Sequence, residues 1–163
     1  MPKIRIAHKI NAYCGQMGIR PAIMIHELAH AVAALEAAQW HGAPVTLVSA
    51  PGAVRTGGVG WWRELIAQAR AQVPDAVADS LLDCADEPGM ALAAIREGVE
   101  AVTLTGNADT LRRVGDIARQ SGVALHAPAP ADLDLACSEN PVADCENLLE
   151  IRARGVAKPR ALG

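Results

Sequence analysis

Short apolar runs alternate with amphipathic stretches along this chain, and this alternation limits the fold more than any other feature. Each run is rich in β-branched or aliphatic residues, and each is followed by a stretch with the 3.6-residue period of a helix. Five runs have this form: AIMI (22–25), VTLVS (45–49), SLLDC (80–84), AVTLT (101–105) and VALH (123–126). Strand–helix repeats of this length predict βαβ units, and therefore a parallel sheet covered by helices.

Two of the amphipathic stretches carry clear signals for where a helix begins or ends. The stretch before Gly122 has arginines on one face and an apolar stripe on the other, formed by Leu111, Val114, Ile117 and Ala118. Gly122 follows it in the position of a C-terminal cap. In the preceding stretch, Pro88 stands near the first helical position and Gly98 closes the end.

The strand candidates are apolar almost throughout, as parallel strands that are buried on both faces should be. We expect a single α/β domain with about five parallel strands alternating with helices, and we favour an open doubly wound (flavodoxin-like) sheet over a half-barrel. Residues 1–21 form an N-terminal extension or an extra edge strand, and 22–128 form the α/β core. Residues 129–163 form an Ala/Pro linker, a short helix and a frayed tail. Met24 is an alternative start, so it stays open whether residues 1–23 belong to the native chain.

Composition and charge exclude several classes of protein. No apolar run approaches the roughly 18 residues of a membrane span, and the N-terminus lacks the apolar region of a signal peptide. The net charge is −3, and the basic residues of the two chain ends do not form the basic face that nucleic-acid binding needs. The cysteines show no C-x-x-C spacing, which indicates reduced thiols. We expect a cytoplasmic protein without a nucleic-acid or membrane partner.

Polar side chains follow several of the predicted strands at the point where each strand ends. Ligands of α/β sheets bind outside the carboxyl ends of the strands. The side chains at those ends are Ser49, Asp83 with Cys84 and Asp86, Thr105 with Gly106, and His126, with His26 after the first run. A carboxylate near an imidazole can transfer protons, so Asp83 and His126 are the catalytic candidates, although no spacing fixes their pairing.

The connection after the second run is unusually long and rich in glycine. Strand-to-helix connections usually take about two to six residues, whereas this one extends through SAPGAVRTGGVGWW (49–62). It contains neither a Walker sequence nor G-x-G-x-x-G, so it carries no nucleotide motif. Its amides and Arg55 could still hold an anion in front of a helix. The ligand-binding candidates here are Gly52, Arg55, Gly57, Gly58 and Trp61; a surface loop without a ligand fits the sequence equally well.

The string HELAH (26–30) resembles the H-E-x-x-H signature of the zinc metallopeptidases. The resemblance implies His26 and His30 as zinc ligands and Glu27 as the general base for a zinc-bound water. The residues after His30 lack the glycine and third histidine of the extended signature, and Ile25 falls at a predicted strand end. We therefore favour a helix N-terminus without a metal or other cofactor, with His26 and His30 facing solvent, and keep zinc as the alternative.

The stretch DSLLDCADEPGMALAAIR (79–96) is similar to the third strand and following turn of bacterial response-regulator receiver domains. The resemblance implies that Asp83 stands at the phosphate-accepting position, followed by Pro88 and Gly89, and that Thr103 or Thr105 is the threonine of strand four. His26–Glu27 replaces the acidic pair of that family, and His126 or a neighbour replaces its lysine. The likeness therefore supports the fold more than phosphotransfer.

Three functions fit this sequence. We favour a cytoplasmic α/β domain that binds a small-molecule ligand, with an anion as one candidate, at the carboxyl ends of its strands, with or without catalysis. The second is a zinc-dependent metallohydrolase that uses HELAH. The third is a non-catalytic interaction module that forms a homo-oligomer through a sheet edge or its Ala-rich helices.

Overall fold

A computed structural model describes residues 20–155 of the protein. Strands and helices alternate along this part of the chain, as the sequence predicts. The elements are β1 Ala22–Ile25, α1 Leu28–His41, β2 Val45–Ser49, α2 Ala53–Thr56, α3 Gly58–Gln72, β3 Ala78–Asp83, α4 Pro88–Arg96, β4 Ala101–Thr103, α5 Ala108–Gln120, β5 Ala124–His126, β6 Leu133–Asp134 and α6 Pro141–Ala153. The prediction for residues 1–19 as an extension or edge strand lies outside the described residues. None of the described helices is long and apolar enough to cross a membrane.

All neighbouring strands pair in parallel and form one sheet of six strands in the order β5-β4-β3-β2-β1-β6. The single α/β domain with a parallel sheet is therefore confirmed, with six strands rather than five. The register aligns Asp83 with Thr103, and Thr103 with His126. These three residues consequently lie side by side at the carboxyl edge of the sheet.

The helices cover one face of the sheet, which we call the helix face. Its core joins Ile23, Leu47, Leu82 and Val102 to buried residues of the helices, such as Leu35 and Trp62. A smaller cluster of Val48, Leu81 and Ala101 lies on the other face and includes no helix residue. The doubly wound sheet favoured from the sequence needs helices on both faces. The arrangement is instead that of the half-barrel alternative, because β1 to β5 are neighbours in chain order and right-handed crossovers then place their helices on one side.

The second face is crossed by residues 127–132, which we call the strap; the face is the strap face. Ala131 packs against the cluster of Val48, Leu81 and Ala101. The end of the strap is fixed to β1, because the Asp132 amide donates to the Ala22 carbonyl at 2.8 Å and the Ala22 amide donates to Asp132 Oδ2 at 2.9 Å. The strap thus connects the two edge strands of the sheet.

The length of the strap favours a curved sheet. The chain from His126 to Leu133 reaches at most about 25 Å when fully extended. In a flat sheet His126 and Leu133 would lie about 26 Å apart. Five strand spacings separate β5 from β6, and the chain must also return from the carboxyl end of β5 to the amino end of β6. A flat sheet would thus need the strap to be fully extended, and a sheet that curves around the strap fits its length better.

The C-terminal part of the described chain belongs to the same core. Asn140 caps α6 by accepting from the Ala143 amide, and Pro141 occupies the first turn, where its missing N–H is harmless. Cys145 and Leu149 of α6 are buried in the core of the helix face. Strand β6 and helix α6 therefore complete the sheet and its cover within the segment 129–163.

Helix α5 shows where the predicted apolar stripe was too wide. Val114 and Ala118 are buried, and Leu111 packs against the core from a partly exposed position. Ile117 is 42% exposed. The helix ends as predicted, with Gly122 in the left-handed conformation at φ 71°.

Candidate functional site

Four polar side chains occupy the carboxyl edge of the sheet, three of them on the strap face. Side chains two residues apart in a strand point to the same face. Leu81, Ala101 and Ala124 are packed on the strap face, so the residues two positions later in β3, β4 and β5 share that face. These residues are Asp83, Thr103 and His126. His26 follows the end of β1 and bonds to Asp134, which pairs with Met24, so it lies at the same edge.

A cavity of about 260 Å³ lies between the strap face and the strap. Its wall is largely apolar, and its polar end is formed by Ser49, Asp83 and Thr103. The lining residues are Met24, Val48, Ser49, Pro51, Leu81, Asp83, Thr103, Pro128, Ala129 and Pro130. An apolar hollow with a few convergent polar groups is the usual form of a small-molecule site.

The Asp83 carboxylate connects three segments at this end of the cavity. Its Oδ1 accepts from the amides of Gly52 at 2.7 Å and Ala85 at 2.9 Å. Its Oδ2 accepts from Thr103 Oγ1 at 2.7 Å. The Asp83 amide in turn donates to Ser49 Oγ at 2.9 Å. Asp83 therefore fixes the ends of β2, β3 and β4 relative to one another.

The turn after Asp83 has an unusual backbone. Ala85 adopts the left-handed conformation at φ 49°, which is uncommon for a residue other than glycine. Its amide donates to Asp83, and its carbonyl accepts from the Thr105 amide at 2.7 Å. These two bonds hold the turn in place beside the carboxylate.

The atoms left for a ligand at this end are hydrogen-bond acceptors. Asp83 Oδ1 already accepts two bonds, whereas Oδ2 accepts one from Thr103 and has room for another. Thr103 Oγ1 uses its only hydrogen toward Asp83 but can still accept. The polar end of the cavity therefore suits hydroxyl or ammonium groups.

Arg55, the expected anion ligand, is held by two carboxylates. It forms ion pairs with Asp86 and with Glu87, the latter with Nε 3.1 Å from Oε1. The hydrogen bond to Glu87, followed by the charge of Asp86, raises the pKa of Arg55. An anion at this position would have to displace both carboxylates.

The glycine-rich loop stands at the same edge as Asp83, as expected, but its amides are partly occupied. The Gly57 amide donates to the Ala53 carbonyl at 2.9 Å. The indole of Trp61 packs over Gly57 so closely that a Cβ there would lie 2.5 Å from Trp61 Cε3. Gly58 adopts φ 74° at the start of α3. Trp61 is 37% exposed and is not among the residues that line the cavity.

The structure separates other predicted site residues from the cavity. Cys84 points into the core of the helix face, where burial, and then the charge of Asp83, raises the pKa of its thiol to about 12. Thr105 and Gly106 are exposed beyond the end of β4, so Thr103 is the threonine that meets Asp83. Burial lowers the pKa of His126, which stands two strands from Asp83.

The two histidines of HELAH each face a different carboxylate. His26 Nε2 lies 2.6 Å from Asp134 Oδ1, and His30 Nε2 lies 3.5 Å from Glu27 Oε1. The expectation that His30 faces solvent is wrong, because His30 is only 9% exposed. Within residues 20–155, no group of three or more His, Cys, Asp and Glu side chains is arranged to hold a metal ion.

Asp134 is the partner of His26, and the sequence pattern did not reveal it. It belongs to β6, which has only two residues and pairs with β1. A strand of this length has no period that a sequence pattern could show. The alternation of Leu133, Asp134 and Leu135 after the Ala/Pro stretch is the one signal that could have indicated it.

Comparison with known proteins supports the fold. No family model matches the chain, and no curated protein matches it. Among solved structures, it is similar to a proposed fructose-1,6-biphosphate aldolase from Coccidioides immitis, with a TM-score of 0.56 and 20% sequence identity. The match covers 66% of this chain and 40% of that chain, so this chain spans less than half of the aldolase. The likeness shows an α/β fold of a kind found in that protein.

Proposed function

We propose that the protein binds a small molecule bearing hydroxyl or ammonium groups in the cavity between the strap face and the strap. The observation that carries this proposal is the acceptor-rich end of the cavity, where Asp83 Oδ2 and Thr103 Oγ1 each have an unused acceptor position. The apolar wall of Met24, Val48 and Leu81 would cover the carbon skeleton of the ligand.

The charge at this edge supports a neutral or cationic ligand over the anion considered from the sequence. The Asp83 carboxylate lines the cavity itself. Arg55, the nearest cation of the glycine-rich loop, is paired with Asp86 and Glu87. An anion would therefore meet uncompensated negative charge, and like charges at short range repel.

The similar aldolase is named for a phosphorylated sugar, fructose-1,6-biphosphate. A sugar presents many hydroxyl groups, which fit the acceptors described above. The residues that line this cavity include no lysine or arginine that could bind the phosphate groups of such a sugar. A neutral polyol is therefore the ligand class that we favour.

The binding proposal is tested with small polyols and one anion as probes. Glycerol, erythritol and inorganic phosphate are titrated into protein carrying a 13C-labelled Met24 methyl group, because Met24 lines the cavity. We expect the polyols to shift the methyl resonance and phosphate to leave it unchanged. The opposite order would contradict the proposal.

A matched pair of variants locates the binding site. Thr103→Val removes an acceptor inside the cavity, whereas Thr105→Val changes an exposed residue outside it. Loss of one hydrogen bond should weaken polyol binding by about 2- to 10-fold in Thr103→Val only. Equal affinities in the two variants would rule out this cavity as the site.

A further inference from the structure

His26 and Asp134 form an imidazole–carboxylate pair at the β1–β6 end of the sheet, outside the set of residues that line the cavity. Nε2 of His26 lies 2.6 Å from Oδ1 of Asp134, which is the short distance of a charge-assisted hydrogen bond. Both side chains reach solvent, with 29% of the His26 side chain and 53% of the Asp134 side chain exposed. The pair is thus both tightly bonded and accessible.

The carboxylate is fixed as the acceptor in this pair. The Ala136 amide donates to the same Oδ1 at 2.9 Å, and that bond, followed by the bond to His26, lowers the pKa of Asp134. An ionised carboxylate has no proton to donate, so the hydrogen between the two residues belongs to His26 Nε2. A neutral His26 therefore carries its lone pair on Nδ1.

The position of His26 relates it to the cavity. Met24 lines the cavity, and His26 follows two residues later, just beyond the end of β1 and about 7 Å further toward the carboxyl edge. The His26 amide donates to His30 Nδ1 at 3.3 Å, which fixes the backbone where β1 ends. The imidazole consequently stands on the side of the cavity opposite to His126 along the sheet.

His30 does not share this role. Its Nδ1 accepts from the His26 amide, and the residue is buried. Its ring meets that of His26 edge to face, with centroids 5.9 Å apart. His30 therefore supports the His26 ring from one side and has no ring nitrogen left for a ligand, because its Nε2 faces Glu27.

We propose that His26 is a general base of this site and that Asp134 is its positioning residue, the substrate being a hydroxyl group of the bound ligand or a water molecule. The O–H bond breaks, the proton bonds to His26 Nδ1, and the electron pair stays on the oxygen, which bonds to the acyl carbon of an ester as the C–O bond to the ester's alcohol or phenol group breaks. The imidazolium is stabilised by the Asp134 carboxylate and later releases its proton to the departing oxygen or to solvent. The role of a ligand hydroxyl rests on the proposed function; the role of water does not.

Hydrolysis of 4-nitrophenyl acetate tests the base without a known substrate. Water loses a proton to His26, its oxygen bonds to the acyl carbon, and 4-nitrophenolate leaves with the electrons of the broken C–O bond. We expect His26→Ala to lower the protein-dependent rate by about 100-fold or more, the lower end of the range for general base catalysis. The control His41→Ala, at the far end of α1, should keep the rate of the unaltered protein.

Two further readouts separate a catalytic from a structural role. Added imidazole should restore activity to His26→Ala beyond its own rate in buffer, which a merely misfolded variant would not show. In 15N spectra of the imidazole, His26 should carry its proton on Nε2, and Asp134→Asn should shift the proton toward Nδ1 and lower the rate, as a wrong tautomer does.

The outcomes are distinct. Equal rates in His26→Ala and His41→Ala, or a proton on Nδ1 of His26 in the unaltered protein, would overturn the assignment of the base. A different result would separate the two proposals. If His26→Ala loses ester hydrolysis but no polyol shifts the Met24 methyl resonance, His26 acts as a base on water and the proposed ligand is rejected.

Discussion

Asp83 shows how one residue can build a site and stabilise the fold. Its carboxylate holds Gly52 after β2, Ala85 after β3 and Thr103 on β4. The same residue leaves one acceptor position facing the cavity. The groups that a ligand can bind here therefore depend on which lone pairs of the Asp83 carboxylate already accept hydrogen bonds from the protein.

Asp83→Ala should lower the free energy of unfolding by about 2–4 kcal/mol, because three donors at the carboxyl edge lose their acceptor. Urea denaturation measures the change. Asp109→Ala is the matched control, since Asp109 forms exposed ion pairs with Arg112 and Arg113 and its loss should cost less than about 1 kcal/mol. Equal losses would show that the Asp83 network does not stabilise the edge.

His126 should make stability depend on pH. Burial lowers the pKa of its imidazole in the folded protein. Below the usual value of about 6.5, the unfolded chain binds a proton that the folded protein does not, so stability falls as the pH decreases through that range. His126→Gln should therefore lose less unfolding free energy between pH 7 and pH 5 than the unaltered protein. An unchanged slope would contradict this cause.

At the scale of elements, α5 illustrates how packing selects part of an amphipathic stripe. Val114 and Ala118 lie against the sheet, while Ile117 is turned toward solvent. The sequence period gives the direction of the stripe, but its width depends on how closely the neighbouring helix and strand approach.

The two apolar residues allow a matched test of the helix orientation. Val114→Asp should destabilise the protein by more than about 3 kcal/mol, because it buries an unpaired charge, whereas Ile117→Asp should cost about 1 kcal/mol or less. Thermal or urea unfolding of both variants measures the difference. Similar losses would mean that α5 is rotated from the position described.

At the scale of the whole molecule, the length of the strap favours a curved sheet. It joins the two edge strands across the strap face and closes the cavity. The strap has few residues for the five strand spacings that it crosses, so we expect a shorter chain to connect β5 to β6 only with a more curved sheet.

Deleting Pro128 and Ala129 should therefore detach β6 and the docked α6, and lower the free energy of unfolding by more than about 3 kcal/mol. Inserting Gly-Ser at the same place should cost less than about 1 kcal/mol, because loop entropy grows slowly with length. The pair is compared by urea unfolding and by the amide signal of Leu135, which donates to the Met24 carbonyl. Equal losses of unfolding free energy in the deletion and the insertion would show that the length of the strap does not limit the attachment of β6.

The sequence alone was sufficient for the alternation of strands and helices, for the parallel sheet and for the edge at which polar residues gather. These features follow from local period and from the rule that parallel strands end at one edge, and both can be derived from residue order. Residue order also predicts Asp83 and the long loop after β2 at that same edge. The two are neighbours in the fold, since the Gly52 amide meets the Asp83 carboxylate.

Only the tertiary structure decided which faces the helices cover, how the sheet curves and which polar groups remain for a ligand. These properties depend on contacts between residues far apart in the chain. Arg55 is engaged by Asp86 and Glu87, and His26 by Asp134, 108 positions later. No local pattern encodes such pairs, because a hydrogen bond across the sheet depends on strand order, and strand order is settled by the packing of the whole core.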